Sequence, residues 1–589
     1  MARSRYARWG VVAVVALLIG ASVAGSSVMR NRDTGFNVAL NNRVGVLGPA
    51  GGTLKVGSSL PCDSLDPART FSSWCSSVQR LYMRNLMAFV GAPGTAGLEV
   101  VPDLAVADPT VSADYRTWTF TIKSNARWDD GSPVTSDDVR YSIERLYDPK
   151  LGITVSPDLL CLLSACNTGF PNYKGPTGKQ PHLKTIITPS SRVVTFRLAR
   201  SFSGFSSVLA SMQFAPIERA REKATLGRDR AYATNPASNG PFKVTFTGDN
   251  QITFVRNAEW DQSTDIVRFP QVDSIVWDIF ANETDVDQAV LSGKIDLKLN
   301  DGLGGQARID SLSKKDVKDH LDISPVGFTS YLAIVPTTAP LDRRACREAI
   351  FFALNKRELQ TIRGGEGTSS IATSMTPQTV LGFDASNDKY SSGANSDGNI
   401  SAAHDKLDEC GYPDGFEIKF AYPALGQGKA LYTSVQKSLA NVGIVVDPVE
   451  STNIGMYYSS DVGRPDNVQA QGIGLIAAGW GPTYASPMSF WSPIADGRNI
   501  RVATNQNYSL INDSYINGQI DILNATQDES VWAGANKSIE DSVMAKAVYL
   551  PYASDVVTLY RNSRLANVYV ELALGGQYDL VNIGLRVNN

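Results

Sequence analysis

The chain has 589 residues, 43% hydrophobic and 19% charged, with a formal net charge of −3. That length calls for two or three cores rather than one, and no Lys/Arg-rich patch interleaved with aromatics occurs beyond the first residues, which argues against a nucleic-acid partner. His182, His320 and His404 lie far apart and no cysteine pair has CxxC spacing, so neither a metal centre nor a cofactor is expected.

At the N-terminus Arg3, Arg5 and Arg8 precede an uncharged run from Trp9 to Met29, the pattern of an export signal. Val11–Ala21 has the length of a signal-peptide core, and Ser22-Val23-Ala24 is an acceptable cleavage site. The full run is also long enough to cross a bilayer, with the arginines holding its start in the cytoplasm. Residues 1–30 therefore read as a signal peptide or an uncleaved membrane anchor, followed by a linker over 31–50. The first cysteine is Cys62, so none lies near the N-terminus to carry a lipid. Six cysteines in an exported chain suit structural bridges. Cys62 with Cys75 and Cys161 with Cys166 would close short loops, leaving Cys346 and Cys410, although other pairings stay open.

Gly51–Gly57 reads as a loop feeding a strand, and Ser64-Leu65-Asp66-Pro67 as a turn. Phe71 to Phe89 carries a helical apolar face through Val78, Leu81, Tyr82, Leu86 and Phe89, with Ser72 or Ser73 as N-cap and Trp74 at its mouth. Trp118–Ile122 alternates as a half-buried strand. Ala126–Val139 then gives strand, tight turn at Asp130-Gly131, and a helix capped by Thr135 or Ser136. Asp129, Asp130, Asp137 and Asp138 are read as turn and cap residues rather than catalytic carboxylates, because each has a local backbone use.

Further along, Ile186–Leu198 alternates, Phe202–Met212 is helical or irregular, and strands flank Gly248-Asp249-Asn250. Val272–Phe280 is a strand and Glu283–Leu291 a helix ending at Gly293. Arg343–Phe352 continues through Asn355 as one long helix, Ala402–Cys410 is a helix stopped by Gly411, and Leu431–Val442 is another helix, followed by a strand at Gly443–Val446. The glycine-rich Gly364–Gly367 lacks a phosphate-binding Lys-Ser/Thr and reads as a turn. Leu475–Pro487 reads as a buried strand that ends before Pro482, which has no N–H to give. Read locally, its Trp480 is a core ring at a strand end. Strands alternating with helices give an α/β class.

Several segments, taken in order, resemble the family 5 extracellular solute-binding proteins of ABC importers, the oligopeptide- and dipeptide-binding group. They include Ser64–Pro67, Val101–Ala105, Trp118–Phe120, Arg127–Thr135, Asn239–Phe242, Val255–Asn257, Gly293–Asp296, Ala339–Asp342, Cys346–Ala349, Gly411–Phe416 and Gly479–Gly481. Tyr173–Pro176, Gly497–Ile500 and Gln577–Asp579 look like the actinobacterial branch. The resemblance implies a two-lobed clamshell of the periplasmic-binding-protein type, with mixed sheets flanked by helices and an extra subdomain in the first lobe. It divides the chain into lobe 1 over 51–328 (inserted subdomain about 90–212), lobe 2 over 329–549, and a return to lobe 1 over 550–589.

On this resemblance the chain binds an oligopeptide or peptide-like solute between its lobes, without catalysis, and delivers it to permease subunits in the membrane; a monomer is expected. The residues implied are Phe71, Ser73 and Trp74 on the first lobe and Tyr331, Gly479, Trp480, Gly481, Pro482, Thr483 and Tyr484 on the second. Peptide-binding members resembling this chain carry an aspartate three residues after the cleft tryptophan, to neutralise the substrate ammonium. Thr483 stands there instead, so the charge comes from elsewhere or the ligand lacks a free amino terminus. The alternatives are a non-peptide solute such as an oligosaccharide, metal chelate or haem, or a secreted hydrolase, for which no GxSxG, HExxH or P-loop motif speaks.

Overall fold

The computed structural model describes residues 34–586 except 71, 152–154, 168–169, 177–180, 224–230 and 249. The export segment lies outside the described residues, and among those described no helix is long and apolar enough to cross a membrane. Within 34–50, expected as a linker, Ala39 and Val44 are buried, and the Ala39 N–H donates to Asp322 Oδ1 at 3.0 Å. These residues are held against the body of the protein.

Two mixed sheets dominate the described residues. The first runs in the order Phe242–Gly248, Gln251–Arg256, Ser274–Ile279, Thr53–Ser58, Leu297–Lys298, with Thr53–Ser58 parallel to both of its neighbours. The second runs Ser369–Ile371, Tyr549–Tyr560, Leu321–Ile334, Ile473–Trp480, Glu417–Pro423, Val445–Ser451. A separate antiparallel sheet, built from Thr110–Val111, Thr117–Thr121, Val193–Arg197 and Ile186–Ser190, forms a subdomain.

The longest strand, Leu321–Ile334, pairs antiparallel with Tyr549–Tyr560, from Leu321↔Tyr560 to Ala333↔Tyr549. Their register breaks between Pro325 and Thr329, where Gly327 has a φ of 83°. This is a bulge at a position open to glycine.

Local chemistry explains most elements. Thr135 and Asp138 form a reciprocal capping box on helix Ser136–Arg145, satisfying two orphan N–H groups. Asp130 Oδ1 accepts from the Ser132 N–H at 2.8 Å, as its turn role requires. Gly411 ends helix Ile400–Cys410 in the left-handed region. The cysteines pair as Cys62–Cys75, Cys161–Cys166 and Cys346–Cys410.

Two expected helices are shorter. The first stops at Gln79, and Met87–Phe89 is a strand paired with Val100–Pro102. Leu81, Tyr82, Met83, Arg84 and Asn85 are all buried, so the apolar residues after Gln79 are not one face of a helix but a chain sunk in the core. The long helix from Arg343 likewise ends at Ala353. Asn355 then caps a new helix, Lys356–Ile362, accepting from the Glu358 N–H at 2.8 Å.

Candidate functional site

Strand Ile473–Trp480 is buried from Ile473 to Ala478 and emerges at Gly479, in register with Ser330, while Trp480 faces Thr329. The glycines here answer a local steric demand. A Cβ on Gly479 would come within 2.3 Å of Phe328 Cε1 and 2.5 Å of its Cζ, and one on Gly481 would come within 2.8 Å of the Gly327 carbonyl oxygen. Trp480 is half-buried, and its indole N–H donates to the Phe490 carbonyl at 3.0 Å.

Beyond Pro482 the loop is fixed by one hydroxyl. Ser489 Oγ accepts from the backbone N–H of Thr483 at 2.7 Å and of Tyr484 at 3.2 Å. Thr483 is exposed and Tyr484 buried. Burial pushes the Tyr484 hydroxyl above its ordinary range, with Arg200 opposing the shift and Asp158 adding to it. Helix Pro487–Ala495 follows at once, capped by Ser486.

On the first lobe, Trp74 is half-buried in the first turn of helix Ser73–Gln79 and meets Trp277 edge-on, with centroids 5.9 Å apart. Trp277 is held by an indole N–H donated to Ser58 Oγ at 2.8 Å. Trp74 lines a shallow hollow with Ser77, Lys298, Asn300 and Gln577. The Lys298 ammonium donates to Asp287 at 2.8 Å and also to Glu283. Burial raises the Asp287 carboxyl even against that ammonium.

Phe71 and the side chain of Ser73 lie outside the described residues. Tyr331, expected at the ligand, is fully buried and edge-on to Tyr549 at 5.1 Å. Its ring is committed to the core, because residue 331 lies on a central strand with neighbours on both sides. The structure thus gathers Gly479–Tyr484 into one tethered loop, gives Trp74 a hollow with Lys298, and packs Tyr331 inside. Phe328 and Ser489 escaped the sequence reading. Phe328 sits beside Gly327 at the expected boundary between residues 328 and 329, a usable signal, whereas nothing in sequence marks Ser489.

Residues 99–501 match the family model described as bacterial extracellular solute-binding proteins, family 5, middle. The chain belongs to this family. A solved family 5 structure, a clavulanic acid biosynthesis oligopeptide binding protein 2, is 33% identical and superposes with a TM-score of 0.84, over 94% of this chain and 98% of that one. An unliganded, open murein tripeptide binding protein MppA shares the family 5 fold at a TM-score of 0.73 and 18% identity, over 92% of this chain and 98% of that one. Among curated relatives, the probable D,D-dipeptide-binding periplasmic protein DdpA of Escherichia coli (strain K12) is 24% identical over 74% of this chain and 77% of its own. The dipeptide-binding protein DppE of Bacillus subtilis (strain 168) is 29% identical over 34% of this chain, and the match spans 35% of DppE's length. The two-lobed α/β architecture expected from sequence is the one these family 5 structures share, and the family is one of receptors rather than of enzymes.

Proposed function

We propose that the chain is the extracytoplasmic receptor of an ABC importer, holding an oligopeptide or peptide-like solute between its lobes and passing it to a membrane permease. The observation that carries this reading is the 33% identity, over nearly the whole of both chains, to a protein named for oligopeptide binding. The peptide-binding names of the curated relatives support it. In this reading the lobes divide at 51–328 and 329–549, with 550–589 returning to the first. The solute lies between Trp74 on one side and the Gly479–Tyr484 loop on the other. Phe71 and Ser73 extend the first-lobe wall, and Tyr331 supports the second from within.

The solute shifts an open–closed equilibrium, and closure turns the loaded protein into the form the permease accepts. The N-terminal segment keeps the protein, a monomer, at the outer face of the membrane as an anchor or releases it after cleavage. Isothermal titration of the purified chain with a mixed peptide library, followed by mass spectrometry of what is retained, tests this. Saturable binding of intact peptides is expected, and their cleavage, or retention of a non-peptide solute alone, would overturn it.

A further inference from the structure

Three stretches far apart in the chain meet at the Trp74 hollow. Helix Ser73–Gln79 brings Trp74 and Ser77, the edge strand Leu297–Lys298 runs on into Asn300, and strand Gln577–Tyr578 comes in from near the C-terminus. Some of the polar groups there are already satisfied. Ser77 Oγ donates to the Tyr578 carbonyl at 3.1 Å. The Lys298 ammonium donates to Glu283 and Asp287, whose other oxygens accept from Ser59 Oγ and from the Gly304 N–H at 3.2 Å. Each of the four carboxylate oxygens thus holds a donor, and the one ammonium faces two carboxylates, so no positive charge is left over to receive an anion.

Three groups stand apart from this closed set. Asn300 and Gln577 are 5% and 9% exposed, yet neither side-chain carboxamide makes a hydrogen bond among the described residues. Carboxamides this deeply set are rarely left so. The indole N–H of Trp74 makes none either, whereas every other tryptophan among the described residues donates its own to a protein acceptor. Asn300 also holds a left-handed φ of 76°, which asparagine tolerates better than most residues. The hollow therefore joins an apolar wall, Trp74 braced edge-on by Trp277, to uncharged donors and acceptors that the fold itself does not use.

We infer that Asn300 and Gln577 form an amide-reading subsite, receiving a neutral amide of the bound solute, main-chain or side-chain, against the Trp74 wall. This rests on the receptor reading above and specifies what that site takes. A carboxamide offers both a donor and an acceptor, as an amide of the solute does, so each completes the other. An apolar group of the same size would strand both side chains, and it is the unmade hydrogen bonds that make such a site selective. A carboxylate would meet Glu283 and Asp287 with their ammonium already engaged, and a cation would compete with Lys298 for oxygens that already hold donors. The hollow is shallow, so it takes the tip of a group rather than a whole side chain.

The test uses the full chain as wild type, N300G and Q577L, each first shown to unfold cooperatively. Calorimetry is run with pentaalanine peptides carrying glutamine, norleucine, glutamate or lysine at each position in turn, and with pentaalanine N-methylated at each peptide bond in turn. For wild type, glutamine at one position is expected to bind about tenfold more tightly than norleucine, which assigns a side-chain amide, or N-methylation of one bond to weaken binding about tenfold, which assigns a main-chain one. That ratio should fall to about threefold in N300G and in Q577L. A merely structural part for these side chains would weaken all peptides alike and leave the ratio unchanged, which would overturn the subsite. Indifference of wild type to both changes would overturn it too, as would a preference for glutamate or lysine that the variants abolish. Should no peptide bind wild type, the receptor reading fails, and the side-chain amide resonances of Asn300 and Gln577 in nitrogen-15-labelled protein decide the subsite: acetamide is expected to move them and acetate to leave them in place, and resonances that acetamide does not move would overturn it.

Discussion

Phe328 occupies the space that a side chain at Gly479 would need. The aromatic ring of one central strand thus lies over the bare backbone of the next, at the point where the second sheet opens into the candidate loop. Substituting Gly479→Ala forces the ring or the strand aside, an overpacking that costs about 1–3 kcal/mol. The urea midpoint of G479A should fall with an unchanged slope, and F328A/G479A should recover part of the loss. Equal loss in the double variant would mean the two residues are not coupled.

Thr483 is exposed at the loop tip with its N–H tied to Ser489. Its hydroxyl carries no charge, so a peptide ammonium placed there would lack a counterion. T483D is expected to raise affinity for a free-amine peptide about tenfold relative to its acetylated form, the scale of one new charge-assisted hydrogen bond. Calorimetry with the peptide pair measures the ratio, and an unaltered ratio would remove residue 483 from the ammonium's surroundings.

Asp103 joins two buried arginines, accepting from Arg84 Nε at 2.7 Å and from Arg268 at 2.9 Å. Asp265 completes the quartet at 3.1 Å from Arg268, its carboxyl held below the usual range by Arg268 and Arg84 despite burial. Asp103→Ala leaves two buried guanidiniums on one carboxylate and is expected to cost about 3–5 kcal/mol. Chemical denaturation of D103A gives the value; a change below 1 kcal/mol would mean water enters the quartet freely.

The Cys346–Cys410 bridge joins helices Arg344–Ala353 and Ile400–Cys410 across a sequence separation of 64 residues. C346S/C410S should lose about 2–5 kcal/mol, from the freedom returned to the unfolded chain. Calorimetry should show a lower Tm for this variant than for wild type.

Glu218 lies beside Arg221 at 3.0 Å, yet burial, aided by Asp130 and Asp129, raises its carboxyl to about 7. The folded chain therefore keeps a proton that the unfolded chain releases above the ordinary value of 4.5. This contribution to stability is fully present below that value and is lost as pH rises towards about 7. E218Q should flatten the wild-type decline in Tm across the window; an identical decline would assign it to other groups.

Sequence was most informative where a residue serves its own neighbours in the chain. The Thr135–Asp138 box, the Asp130 turn and the Gly411 stop each involve groups a few residues apart, and all were legible. Arg84 and Asp103 meet the Asp265–Arg268 pair from distant positions, and no spacing announces the quartet; the same sinking of Arg84 and Asn85 into the core disguised the end of the first helix. At the candidate site, the end of the strand before Pro482 was legible, but nothing in the sequence says what comes close to the glycines around Trp480. What approaches, Phe328, depends on strand pairing that sequence alone does not fix.

In the bulge on strand Leu321–Ile334, Val326, Gly327 and Phe328 stand outside the register with both neighbouring strands. Asp555, which lies opposite them, stays paired with Ser369. The strand is therefore a scored ribbon, paired on either side of one crease. That crease ends at Phe328, whose ring lies against Gly479, so bending the strand there would also shift an aromatic ring on the first residue of the candidate loop.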